Sequence, residues 1–241
     1  MKKAFCSWSG GKDSYLALSR AKASGIAVTH LVTMFDESGE RSRSHAVSRK
    51  LMRKQAEALG LEIVMPSASW QTYESVFVET ISRLRQNSDC EIGVFGDIDL
   101  EPHREWEENV CSRADIEPVL PLWGEARLGM VDEFLESGSE AVVICVNEKY
   151  LDSTFCGRTF DRQFIADLPD GIDACGENGE FHTFAFNGTI FAHPVPYRVT
   201  KIYRHVSTFP GGDESSFSYA NLEIDFAIAR EKVGLQKERQ D

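Results

Sequence analysis

Six consecutive residues, Ser9, Gly10, Gly11, Lys12, Asp13 and Ser14, set two glycines, a cation, a carboxylate and two hydroxyls between an apolar run, "AFCSW", and the stretch "YLALSRAKASG". The chemistry such a turn offers is anion binding. Glycines let a backbone approach a ligand closely, amide N–H groups converge where a helix begins, Lys12 adds a point charge, and the serines donate hydroxyls. Asp13 is out of place among anion-gripping groups unless it helps to position a metal-bound phosphate. The Walker pattern is excluded, because it requires glycine where this chain has Cys6 and a hydroxyl where it has Asp13. A Gly-x-Gly-x-x-Gly fingerprint is missing as well. Ser9 to Lys12 also matches the S-x-x-K of serine acyl enzymes, but no S-D-N or K-T-G accompanies it.

Two further stretches collect reactive side chains. "CGENGEFHTFAF" (175–186) crowds Glu177, Asn178, Glu180, His182 and Thr183 into a glycine-bounded turn. Taken alone, it is either a surface turn with two solvated carboxylates or a source of a general base. "GDIDLEPHREWEENVC" (96–111) holds Gly96, Asp97, His103 and Arg104; the last two either contact an acidic acceptor or simply open a helix. A basic run, Arg41, Arg43, Arg49, Lys50, Arg53 and Lys54, contains no acidic residue. It reads as a solvated helix face or as a clamp near an anion. His45 falls beside it as a loop residue near the ligand, whereas His30, His193 and His205 lie in strand-like contexts that suit structural histidines.

Positioning these groups requires elements that gather loops at one edge. Strand-like runs at 3–8, 28–34, 61–66, 90–98, 116–123 and 141–147 alternate with helix-like stretches near 13–24, 46–60, 73–85, 104–113 and 128–137. Alternation of this kind predicts an α/β fold, a doubly wound, mostly parallel Rossmann-like sheet, with ligands outside the carboxyl ends of its strands. Ser9–Ser14, Met34–Ser44 and Gly96–Arg104 all follow such ends. Beyond about residue 148 the alternation weakens into short strand-like runs, which predicts a smaller, more antiparallel C-terminal α+β region. The division expected is one domain at 1–124, bearing the anion-binding turn, and a second at 125–241. The final "QKERQD" reads as a polar tail.

Composition narrows the partners. A net charge of −12 on 241 residues argues against broad nucleic-acid binding. No run approaches the ~20 apolar residues of a membrane span, and the Met-Lys-Lys start leads into a strand, so a soluble, unprocessed, cytoplasmic protein is expected. The six cysteines form no C-x-x-C pair and mostly sit in apolar runs, as reduced buried thiols do.

"SGGKDS" resembles the signature loop of the PP-loop, or N-type, ATP pyrophosphatases. "CGENGEFHTFAF" resembles the second-domain motif of the diphthine–ammonia ligase family, also called the diphthamide synthase ATP-binding family. "PLWGEARLGMVDEFLESGSEAVVICV" and "LDSTFCGRTFD" fall between them in the family's order. The resemblance covers roughly residues 1–195. One departure stands out: where the diphthamide enzymes carry a Ser-Asp-Tyr-Gln-Arg type loop, this chain has Leu100, Glu101, Pro102, His103 and Arg104. That looks like a bacterial branch of the family with a different acceptor.

The resemblance implies an ATP-dependent amide-forming ligase of the PP-loop type. It would adenylate a carboxylate or carbonyl oxygen with release of pyrophosphate, before attack by ammonia or an amine. ATP and Mg2+ are the implied cofactors, with Asp13 at the metal. Ser9, Gly10, Gly11, Lys12, Asp13 and Ser14 would grip the phosphates, the backbone at Met34 would meet adenine, and Gly96 and Asp97 would lie beside the ribose or α-phosphate. Lys12, Asp13, Glu177, Glu180 and His182 would be catalytic; His103, Arg104, Asn178 and Thr183 would bind the acceptor, a small-molecule or protein carboxylate. Two other classes stay open: a nucleotide sensor without turnover, and a tRNA-modifying PP-loop enzyme, against which the acidic charge counts. A homo-oligomer is left open.

Overall fold

The computed structural model describes residues 2–208 and 214–225. Five parallel strands form the first sheet in the order β3-β2-β1-β4-β5: β1 (Lys3–Ser7), β2 (Ala27–Val32), β3 (Glu62–Val64), β4 (Cys90–Val94) and β5 (Glu117–Val119). Between them run α1 (Lys12–Ala23), α2 (Arg49–Leu59), α3 (Tyr73–Ser88) and α4 (Glu101–Arg113), with α5 (Arg127–Glu136) following β5.

β1 shows why both faces are covered. Side chains alternate across a strand, so Ala4, Cys6 and Trp8 enter one buried cluster with α1 and α2, whereas Phe5 enters the other with α3 and α4. On the second face Phe5 packs edge-on against Phe77 and Phe95. α2 begins where the Ser48 hydroxyl caps the Leu51 amide and ends at Gly60, whose φ of 67° a side chain would resist.

The second sheet is antiparallel, ordered β7-β6-β9-β8, from β6 (Glu140–Asn147), β7 (Phe181–Asn187), β8 (Tyr197–Thr208) and β9 (Glu214–Ile224). A short α6 (Arg162–Ala166) lies in the crossing from β6 to β7. Here the sequence expectation needs a correction. "AVVICVN" reads as one more member of the parallel series, yet it pairs antiparallel between β7 and β9. A strand buried on both faces has no alternation to reveal its neighbours, so either sheet would accept it. The predicted tail and the end of the last strand-like run lie outside the described residues.

The two sheets share the larger core. Tyr15 of α1 stacks on Phe191 at 5.5 Å and meets Phe134 of α5 edge-on at 5.6 Å. α1 therefore has the first sheet on one side and the elements after residue 124 on the other. All six cysteines are buried and free. No helix among the described residues is long and apolar enough to cross a membrane.

Candidate functional site

In the order 3-2-1-4-5, the chain leaves β1 toward β2 on one side and returns to β4 on the other, so the loops after β1 and β4 part and leave a crevice. A cleft of about 620 Å³ opens there, lined by the 9–14 turn, the 95–107 segment and the 175–183 turn, with His45, Trp70 and Tyr73. Stretches about 165 residues apart in the chain thus share one wall.

The 9–14 turn is held by its own hydroxyls and by β7. Ser9 Oγ accepts from the Gly11 amide at 3.2 Å and lies 3.1 Å from Ser14 Oγ, which donates to the Gly11 carbonyl at 3.0 Å. Thr183 Oγ1 accepts from the Lys12 amide at 3.0 Å. The Ala185 amide donates to the Gly10 carbonyl at 2.8 Å. An anion arriving at the turn would find two amides already satisfied by hydroxyl oxygens, which it replaces with stronger charge-assisted bonds. Thr183, expected on the acceptor, is here part of the turn's support.

Gly10 is required by its backbone, and Gly11 is closely confined. Gly10 has φ of 85°, and a Cβ there would come within 2.7 Å of Gln55 Oε1; a Cβ on Gly11 would sit 3.0 Å from His45 Nε2. Gly96 is needed for a different reason: a Cβ would lie 3.1 Å from the Asp13 and Ser14 backbone, so glycine lets the loop after β4 close onto the start of α1.

Gln55 escaped sequence analysis altogether. It is fully buried, donates through Nε2 to the Gly10 carbonyl at 2.9 Å and the Ala185 carbonyl at 2.7 Å, and accepts from Trp8 Nε1 at 2.9 Å. An indole N–H only donates, so the amide oxygen must face Trp8 and the nitrogen the two carbonyls. The available signal was a polar residue on the apolar face of α2, among Leu51, Met52, Ala56 and Leu59.

Lys12 is 5% exposed, and both Asp13 oxygens lie 2.7 and 2.8 Å from its Nζ. Burial opposes its charge, yet Asp13 and the neighbouring acids hold its pKa above the ordinary value. Glu177 is pushed up to about 7, chiefly by burial and then by the charges of Asp13 and Asp97. Asp13, Cys175 and Glu177 bring one ligand atom each within 4.8 Å of one another. The donor set suits a hard cation through its two carboxylates only. Burial pushes the Cys175 thiol up to about 12, so it keeps its proton and offers such an ion nothing.

His45 and His182 pack with ring centroids 4.5 Å apart beside Lys12. Burial, then Lys12, lowers His182 to about 4; burial, His182 and Lys12 hold His45 well below its usual value. Both rings are neutral at physiological pH. A ring with so little proton affinity is a poor base, so His182 lines the cleft as a neutral hydrogen-bonding group.

Four other expected residues take positions apart from the cleft. Glu180 is buried and spends its carboxylate on the turn itself, accepting from the Asp173 and Asn178 amides and from Asn178 Nδ2. It is neither a solvated carboxylate nor a base facing the cleft. Asn178, besides those bonds, accepts from Arg127. Arg104 pairs with Glu108 at 2.8 Å and lies over Trp123. Met34 is buried in the core of the α3 and α4 face, and its carbonyl accepts from the Arg43 amide, so that backbone oxygen is already engaged. His103 does line the cleft, with Nδ1 2.7 Å from Asp97 Oδ1. Glu180 and Arg104 each found a nearer partner in their own turn or helix.

The helical part of the basic run is a solvated face: Lys50 and Arg53 are exposed on α2, and Lys54 pairs there with Glu57. Arg41, Arg43 and Arg49 bond to the backbone carbonyls of Ala46, Ala68 and Met65 and knit the loop after β2. His30 is buried against Thr29 and Cys90, while His193 and His205 are exposed. Arg127, also unforeseen, spans the cleft's entrance loops. It grips both Asp99 oxygens at 2.7 Å and reaches Asp173 at 2.6 Å.

Glu107, likewise unforeseen, lines the cleft at 3% exposure, its pKa pushed up to about 10 by burial and by its hydrogen bond to Asp97. The folded protein keeps a proton here that the unfolded chain releases above the ordinary value of 4.5. Stability from this site is therefore lost progressively as pH rises from the ordinary carboxyl range toward about 10. Glu107→Gln, nearly isosteric and never ionised, should abolish that loss. Urea melts at pH 6 and pH 9 check it; parallel pH dependences in the two proteins would show that Glu107 is ionised in the fold.

The family model described as the diphthamide synthase N-terminal domain matches residues 1–118, and that of the diphthamide synthase C-terminal domain matches 127–208. The chain belongs to the diphthamide synthase family. Among curated relatives, the diphthine–ammonia ligase of Rattus norvegicus is 24% identical, over 86% of this chain and 95% of the relative. The enzyme of that name from Homo sapiens is 23% identical, over 82% of this chain and 83% of the relative. A solved structure described as a predicted subunit of tRNA methyltransferase from Methanocaldococcus jannaschii is 18% identical, covers 60% of this chain and 79% of its own, and has a TM-score of 0.40. That likeness adds nothing to the fold described above.

Proposed function

We propose that this protein is an ATP-dependent carbon–nitrogen ligase that works through an adenylated intermediate. The observation that carries the reading is the convergence of the 9–14 turn and the 175–183 turn on one cleft at the β1/β4 crevice. It joins a phosphate-binding backbone to the carboxylates of Asp13 and Glu177, in a family whose relatives bear the name of an ammonia ligase.

In this reading residues 1–124 bind the nucleotide and the remainder of the chain closes the cleft and meets the acceptor. The amides at the start of α1, Lys12 and the Ser9 and Ser14 hydroxyls hold the β- and γ-phosphates. Asp13 and Glu177 would hold Mg2+, which supplies charge neutralisation for the leaving pyrophosphate. An oxygen of the acceptor carboxylate or carbonyl forms a bond to the α-phosphorus, and the bond to the pyrophosphate oxygen breaks. Ammonia or an amine then attacks the activated carbon, the C–O bond to AMP breaks, and one proton leaves the nitrogen. Gly96 and Asp97 would lie beside this path, a reading supported by the close approach of Gly96 to the Asp13 backbone. The relatives are named for diphthine; here the acceptor is assigned only as a carboxylate or carbonyl compound.

The test is release of AMP and pyrophosphate from ATP with Mg2+, over a panel of carboxylates with ammonia present. Stoichiometric release with one acid, dependent on that acid, is expected. Tight ATP binding without release under any condition would make the protein a nucleotide sensor.

A further inference from the structure

Glu107 and the aromatic wall of the cleft have no task in that reaction. Glu107 lies 97% out of solvent, its Oε2 has no hydrogen-bond partner, and among the described residues no cation pairs with it. Beside it is Asp97, ion-paired to His103 at 2.7 Å. The walls are aromatic: the Tyr73 ring lies 5.8 Å from Trp106 and 5.9 Å from Trp70, and all three line the cleft. Trp70 is 72% exposed, a large apolar area to leave in water. The cation nearest to it, Arg43, stacks on its ring at 4.5 Å but is committed to the Ala68 carbonyl and Glu37.

Aromatic faces beside buried carboxyl groups are an environment for an organic cation. The unpaired Glu107 oxygen narrows the class, because a buried acceptor is satisfied only by a donor, and a quaternary ammonium has no N–H. A primary ammonium has three, enough for Glu107 and Asp97 together. We propose that Glu107 and Asp97, walled by Tyr73 and Trp106, form a subsite for the protonated primary amine of an organic substrate. The proposal rests on the ligase reading. It deepens that reading by naming a chemical class for one of the ligase's substrates.

The amine belongs either to the attacking nucleophile or to a cationic group on the acceptor. The competing occupant is the adenosine of ATP, which also stacks and carries N–H donors. Calorimetric titration of the full chain with n-butylammonium and with butyltrimethylammonium, each with and without the α,β-methylene analogue of ATP, separates these. Saturable binding of n-butylammonium is expected, retained with the analogue bound, and weaker by about tenfold or more for the trimethyl compound. Glu107→Met, which removes both carboxyl oxygens, should weaken it by a similar factor while analogue affinity stays unchanged. Equal affinity for the two compounds, no binding of either, or displacement by the analogue would overturn the proposal, and the first comparison needs no variant. Amide formed on n-butylamine would assign the subsite to the nucleophile; pyrophosphate release with 5-aminopentanoate and ammonia would assign it to the acceptor. Binding is read without turnover, so failure here and failure of the ligase reading appear in different assays.

Discussion

Asp13→Asn lowers pyrophosphate release by roughly 10²–10³-fold, the range seen when one preorganised electrostatic contact to a developing charge is removed. The residue sits between two charges that need it. Its oxygens are 2.7 and 2.8 Å from the nearly buried Lys12 ammonium, and it faces Glu177 across the candidate cation site. An asparagine keeps the shape and loses the charge, so Lys12 loses the partner that holds its pKa up against burial. The measurement is steady-state release of pyrophosphate, with the thermal midpoint recorded to show that the fold survives. A rate unchanged from wild type would remove Asp13 from the mechanism. Cys175→Ala is the companion: if the cation is held by carboxylates alone, the rate stays close to wild type, whereas a loss matching that of Asp13→Asn would make the thiol a ligand and the metal a softer one.

Gln55→Leu is expected to cost roughly 2–4 kcal/mol of stability, since it strands the Trp8 N–H and leaves two carbonyls short of a donor inside the core. For a chain of this size that corresponds to a fall of roughly 5–15 °C in the thermal midpoint. The damage should reach function as well. Gln55 ties Gly10 to Ala185, and with the Ala185 amide on the Gly10 carbonyl it fixes the phosphate turn to β7. The KM for ATP should therefore rise more than kcat falls. A midpoint within about 2 °C of wild type would show that the amide is not the tie between turn and sheet.

These two residues mark where sequence reasoning works and where it stops. Asp13 is legible because its signal is local. A Ser-Gly-Gly-Lys-Asp-Ser turn between an apolar strand and a helix offers an anion site through residues that are neighbours in the chain. The alternating strand and helix periods, the open α/β class and the antiparallel end of the chain are legible for the same reason, since each is written in a short window. Gln55 could be placed on the buried face of α2 from its period, but its partners, Trp8, Gly10 and Ala185, are 45 to 130 residues away.

What the sequence determined by itself was the residue types at the turn, the edge of the sheet where the reactive loops gather, and the family resemblance. Tertiary structure decided which reactive side chains face the cleft. Glu177 and Glu180 lie three residues apart in one turn, yet one faces the candidate cation site and the other is consumed by the amides of its own loop. His182 carries the ring that suits a base, but burial beside Lys12 removes its proton affinity. Glu107 reads as one more helix surface acid until α4 packs and buries it among aromatic rings. Residue type is local, whereas desolvation and hydrogen-bond competition depend on neighbours that only the folded chain supplies.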